Sequence, residues 1–158
     1  MKPVNFTGPM IASLIIATIF QLLPASGDWM LWKPNFLLMV TIAWILYVPI
    51  QYGIGFAAAV GLLADTLFRT ILGHYVLVFA LCGAAAYLLS RWLTYFSIFH
   101  RMFLVVVLVV FAELVQALLF SVWDIPTTLG HLPVIGLTSA LLWPLIDILI
   151  ARVNLYHR

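Results

Sequence analysis

Charged residues are sparse along this chain, and the stretches between them are apolar at nearly every position. Between Lys2 and Asp28 there are 25 residues with no Asp, Glu, Lys or Arg. Between Lys33 and Asp65 there are 31, between Arg69 and Arg91 there are 21, and between Asp124 and Asp147 there are 22. The run from Arg101 to Asp124 is interrupted only by Glu113. A membrane-crossing helix needs about 20 mainly apolar residues. Transmembrane strands alternate apolar and polar over about ten residues, whereas Phe103-Leu-Val-Val-Val-Leu-Val-Val-Phe111 is apolar throughout. The pattern predicts helices, not a barrel.

Breakers divide the runs. Helix one reads from about 7 to 23 and stops at Pro24. The segment from Pro24 to Pro34 is a loop by its Pro, Gly and Asp content, and its Trp29 and Trp32 suit a membrane–water boundary. Helix two opens on Asn35, a good N-cap residue, and runs to about 50. Pro49, Gly53 and Gly55 mark a turn that splits the 31-residue run. Helix three then covers 53 to 72 and ends at Gly73. Helix four covers 74 to 92, helix five 100 to 123 and helix six 133 to 153, after a loop holding Pro126 and Gly130. The expected architecture is an all-α integral membrane bundle of six transmembrane helices, one transmembrane domain over 1–158. Five elements would remain if helices two and three formed one bent helix.

Composition narrows the function classes. The 158 residues are 66% hydrophobic and 8% charged, with a mean hydropathy of +1.20. A soluble domain is about 25% charged, so this chain cannot coat a water-facing surface. It also lacks the clustered basic face that nucleic acid needs. Cys82 stands alone, which excludes an internal disulfide or a multi-cysteine metal site. With six spans, Lys2, Arg91, Arg101, Arg152 and Arg158 fall on one side, Lys33 and Arg69 on the other. That asymmetry predicts that both termini are cytoplasmic. Helix one has signal-peptide features, but its apolar stretch is longer than the usual h-region.

Three acids fall inside the predicted spans, where an ionised group costs about 3 kcal/mol at the bilayer centre. Asp65 has Arg69 four residues on, a spacing at which an ion pair can form; the alternative is an acid facing a cavity or a partner. Glu113 has no basic neighbour on its own helix turn, and Gln116 and Gln21 could hydrogen-bond it; interhelical packing or a proton relay are its two readings. Asp147 lies near the cytoplasmic end of helix six with Arg152 close by, and reads as a solvated or paired boundary charge.

Small residues recur at helical spacing. Gly53, Ala57, Gly61 and Asp65 follow one another at intervals of four on helix three, a pattern that lets another helix approach closely. These four are candidates for partner binding or for internal packing. Helix four carries Ala80, Gly83, Ala84, Ala86 and Ser90, and helix six Gly136 and Ala140 before Pro144, which removes a backbone donor and should bend it. His74, His100, His131 and His157 lie at helix ends or in loops, with no ligand spacing on one helix. No Ser–His–acid cluster, Walker loop or GxGxxG is present, so no catalytic, metal or cofactor residue is assigned.

The order of short motifs resembles one known family. Lys33-Pro34-Asn35 opens helix two, Gly61-x-x-x-Asp65 lies in helix three, Leu72-Gly73 begins the next connection, Glu113 sits in helix five, and Leu142-Trp143-Pro144 lies in helix six. Together these resemble MreD, the rod shape-determining membrane proteins of bacteria. That family usually shows a glycine between the acid and the Leu-Gly; Thr66-Leu-Phe-Arg-Thr-Ile71 has none and places Arg69 there. The resemblance implies a fold similar to the substrate-binding subunits of energy-coupling-factor transporters. It also implies a non-enzymatic scaffold in peptidoglycan elongation. MreC would be its direct partner, with MreB, RodA and a class B penicillin-binding transpeptidase further off, and a homodimer is compatible with it. The competing functions are a small-molecule-binding transporter subunit, with an outward pocket near Asp65, Trp29 and Trp32, and a membrane enzyme built on Asp65 and Glu113.

Overall fold

The computed structural model describes residues 7–24, 27, 33–92, 97–123, 130 and 132–156. Lys2, Trp29, Trp32, Asp124, His131, His157 and Arg158 lie outside the described residues, as do the expectations placed on them. Six helices follow in order: α1 (Thr7–Leu22), α2 (Phe36–Tyr47), α3 (Ile54–Phe68), α4 (His74–Ser90), α5 (Ile98–Val122) and α6 (Leu132–Tyr156). The chain leaves the helical conformation between Val48 and Gly53, so helices two and three are separate elements.

The arrangement is built around α2. Every residue from Leu37 to Leu46 is buried, and α2 packs against each of the other five helices. A helix apolar all round has no polar face to turn outward and belongs in an interior. Its ends are set locally. Asn35 Oδ1 accepts from the Leu38 amide at 3.1 Å, as an N-cap should. At the other end the Val48 amide closes on the Trp44 carbonyl, and Pro49 follows, unable to donate.

Around this axis α3 and α4 form the most intimate pair, and α5 with α6 a second hairpin. A Cβ built at Gly61 would lie 2.6 Å from the Tyr75 carbonyl oxygen and 2.7 Å from the Val76 Cα. Gly83 similarly sits directly against the Ala57 side chain. Backbone therefore touches backbone, the geometry by which helices in lipid gain dispersion energy without a hydrophobic drive. Gly136 is less crowded, with Val106 and Val110 of α5 at 3.5 and 3.6 Å from the position of a Cβ. Pro144 lies within α6, which continues through it.

Helix length corrects one expectation. Among the described residues, Phe99–Val122 and Leu132–Val153 are long and apolar enough to cross a bilayer by themselves. The other four helices have 12 to 17 residues, about 18 to 26 Å at 1.5 Å per residue, against a hydrocarbon core of ~30 Å. Helix three was expected to reach Leu72 and stops at Phe68, because the chain after it folds back on Asp65. Large apolar side chains are nonetheless exposed to the surroundings, Phe99, Phe103, Leu118, Leu137 and Leu141 among them. In water such a surface would aggregate; in a bilayer it matches its solvent, as a membrane helical protein requires.

Candidate functional site

The buried carboxylate of Asp65 is the most densely bonded side chain described, and its surroundings begin with a missing side chain. Gly73 occupies the N-cap of α4 with φ +101°, a left-handed conformation that suits glycine. Having no side chain, it cannot cap the free amides of the first turn. Asp65, on the preceding helix, supplies the cap. Its Oδ1 accepts from the Tyr75 amide at 2.7 Å and the Thr70 hydroxyl at 2.9 Å. Its Oδ2 accepts from the Gly73 amide at 2.8 Å and the Val76 amide at 3.4 Å. Only 1% of the residue is exposed. Three backbone donors and the positive end of a helix dipole match an anionic acceptor. Gly61, one turn earlier, lets the first turn of α4 approach closely enough for those bonds. The Gly61-x-x-x-Asp65 motif is thus a joint between consecutive helices.

One expectation about this site changes. Asp65 and Arg69 form no ion pair. The Arg69 amide bonds the Asp65 backbone carbonyl while its own backbone turns left-handed, φ +52°, and its side chain is exposed. The i,i+4 spacing argument assumed that the helix continues past Arg69, but α3 ends there. Both Asp65 carboxylate oxygens are taken up by the chain's own donors, and Trp29 and Trp32, the other expected lining of an outward pocket, lie outside the described residues. Of the small-residue series, Ala57 and Gly61 face α4, whereas a Cβ at Gly53 would meet nothing within 4 Å.

His74 follows Gly73 at the first position of α4, a helix end as expected, and it is buried. Its ring stacks on Phe120 with centroids 4.5 Å apart, and Trp123 and Tyr75 close around it. Neither ring nitrogen has a hydrogen-bond partner. Glu113 is half-buried and Gln116 buried on α5. Gln21 serves elsewhere, its Oε1 accepting from the Phe36 amide at 3.0 Å.

That last bond belongs to a second joint, between α1 and α2. Lys33 Nζ donates to the carbonyls of Gln21 at 2.6 Å and Leu23 at 2.7 Å, covering the C-terminal end of α1, where a cation is favoured. Partial burial pulls the Lys33 ammonium below its ordinary pKa. Pro34 fixes the turn, and Asn35 caps α2. Lys33-Pro34-Asn35 therefore ends one helix and starts the next. Further along, Trp44 Nε1 donates to Ser13 Oγ at 2.8 Å.

A third cluster was missed in the sequence. Tyr47, at the end of α2, donates its hydroxyl to Asp147 Oδ1 of α6 at 2.5 Å. Arg101 Nη1 of α5 donates to the Tyr47 hydroxyl at 3.0 Å and lies 3.9 Å from Asp147 Oδ1. Of the two readings, solvated or paired, Asp147 takes the second: it is buried, and its partner is Arg101 of α5. Arg101 lies near the start of its helix and Asp147 near the end of another. The predicted topology puts both at one depth, and that was the available signal. Trp143 is buried in the core, and its indole N–H has no acceptor. Among the described residues no three metal-ligating side chains come together.

Comparison with known proteins agrees with the motif order. The family model described as rod shape-determining protein MreD matches residues 4–153. The rod shape-determining protein MreD of Haemophilus influenzae is 24% identical over 148 residues, covering 92% of this chain and 90% of that protein. No solved structure matches. With the family model matched over residues 4–153, the chain belongs to the MreD family of rod shape-determining proteins.

Proposed function

We propose that this chain is a non-enzymatic scaffold of the inner membrane that binds MreC and helps organise lateral peptidoglycan synthesis, with MreB, RodA and a class B penicillin-binding transpeptidase as indirect partners. The family match across nearly the whole chain carries this reading. The geometry supports it in one respect. Asp65, which both the transport and the enzyme readings would recruit, is engaged in joining helices, as are Lys33 and Asp147. Such bonds make a rigid body that can present an apolar outer surface to a neighbouring span. A fold like that of the energy-coupling-factor binding subunits, and cytoplasmic termini, belong to the same proposal.

The partner must be sought away from Ala57 and Gly61, since α4 already covers them. Co-expression of the tagged chain with MreC in a rod-shaped bacterium, gentle solubilisation and affinity purification should recover both in constant ratio. Reconstituted alone, the chain should leave a lipid-linked precursor unchanged. A folded, monodisperse chain that never retains MreC would refute the scaffold reading.

A further inference from the structure

Helix α1 packs mainly on α2, and α6 packs on α2 and α5, which leaves a furrow between α1 and α6 with α2 as its floor. Its volume is about 350 Å³. The walls are Ile16 and Phe20 of α1 and Leu145 and Leu149 of α6, over Val40. The one polar side chain lining it, Ser13, has its hydroxyl engaged with the Met10 carbonyl and the Trp44 indole. The furrow therefore offers no hydrogen bond to a polar ligand.

From this shape we propose that the furrow holds one acyl chain of an anionic phospholipid, whose headgroup meets Arg152. The depth fits. From Leu142, which lines the furrow, to Arg152 is ten residues of α6, about 15 Å, which is half of a ~30 Å hydrocarbon core, or one leaflet. Arg152 stands at the interfacial end, one turn beyond Leu149, with its side chain exposed. Arg101 at that end is committed to Tyr47 and Asp147, whereas Arg152 is exposed three residues beyond the furrow-lining Leu149 on the same helix. A protein helix is a poorer occupant. It is about 10 Å across and seeks small residues at its contact, whereas eight of the eleven residues lining this furrow are Ile, Leu or Phe, and only Ser13 and Ala17 are small.

The test is native mass spectrometry of the full chain from nanodiscs of equal phosphatidylglycerol and phosphatidylethanolamine. The wild type should retain one phospholipid, with about a fivefold preference for the anionic one, the scale of a single interfacial cation. Arg152→Gln should keep its thermal stability and lose that preference. Leu145→Trp, at an exposed wall position, should retain neither lipid. Equal retention by wild type and Leu145→Trp would overturn the site. An unchanged preference in Arg152→Gln would overturn the headgroup assignment, and a protein partner crosslinked into the furrow in place of lipid would overturn the choice of occupant.

Discussion

Arg69 bears the cost of a backbone conformation that its side chain does nothing to relieve. Its φ of +52° is left-handed, where a Cβ is disfavoured and glycine is the usual occupant after a helix. The family's customary glycine in this stretch fits that geometry. Arg69→Gly should therefore stabilise the fold, or leave it unchanged, by up to ~1 kcal/mol, because the relief of strain exceeds the added unfolded-state entropy. Thermal unfolding in detergent checks this, and a clear loss of stability would assign Arg69 a side-chain role. Asp65→Asn has the opposite expectation. An amide cannot accept at both ends, so at least one cluster of donors meets an NH₂ group. Losing charge-assisted bonds at a residue that is 1% exposed should lower stability by ~2–4 kcal/mol. Glu at the same position keeps the charge but overreaches, and should recover only part of the loss.

At the scale of elements, the joints matter more than the helices. Four of the six helices are too short to cross the bilayer on their own, so their placement depends on how each is tied to its neighbour. A Cβ at Gly61 would press on the Tyr75 and Val76 backbone, which cannot rotate aside as a side chain could. Gly61→Ala should cost ~1–3 kcal/mol by overpacking, and Gly61→Leu should abolish a monodisperse fold. Size-exclusion profiles in detergent distinguish the two, and a well-behaved Gly61→Leu protein would contradict the α3–α4 joint. Lys33→Met keeps most of the aliphatic stem and removes the cap on α1. Because α1 packs mainly on α2, amide exchange should rise in the last turn of α1 and remain unchanged in α4.

For the whole molecule, the Tyr47–Arg101–Asp147 cluster is the tie that joins α2, α5 and α6 at one end of the bundle. A double-mutant cycle on Tyr47→Phe and Arg101→Gln should show a coupling of ~0.5–3 kcal/mol, as contacting members of one network do. Additive effects would mean the two groups act separately. Breaking Asp147 alone should be the worst single change, since it leaves the buried face of Arg101 without its counter-charge.

Much of this was legible in the chain. The spacing of charges and breakers gave six helices, the excess of apolar residues gave the bilayer, and motif order gave the family, because lipid imposes a one-dimensional rule: long apolar runs and polar breaks. Asn35 could be read as a cap because capping is local. Side-chain partnership could not be read, because it depends on where helices end and what crosses them. Asp65 looked like the partner of Arg69 until the helix proved to stop short, and its donors come from beyond the turn. Asp147 finds Tyr47 a hundred residues away. Sequence alone determined which segments leave water and in what order; only the packed bundle decided which buried polar group satisfies which, since an unpaired donor or acceptor in lipid must take its partner from another part of the fold.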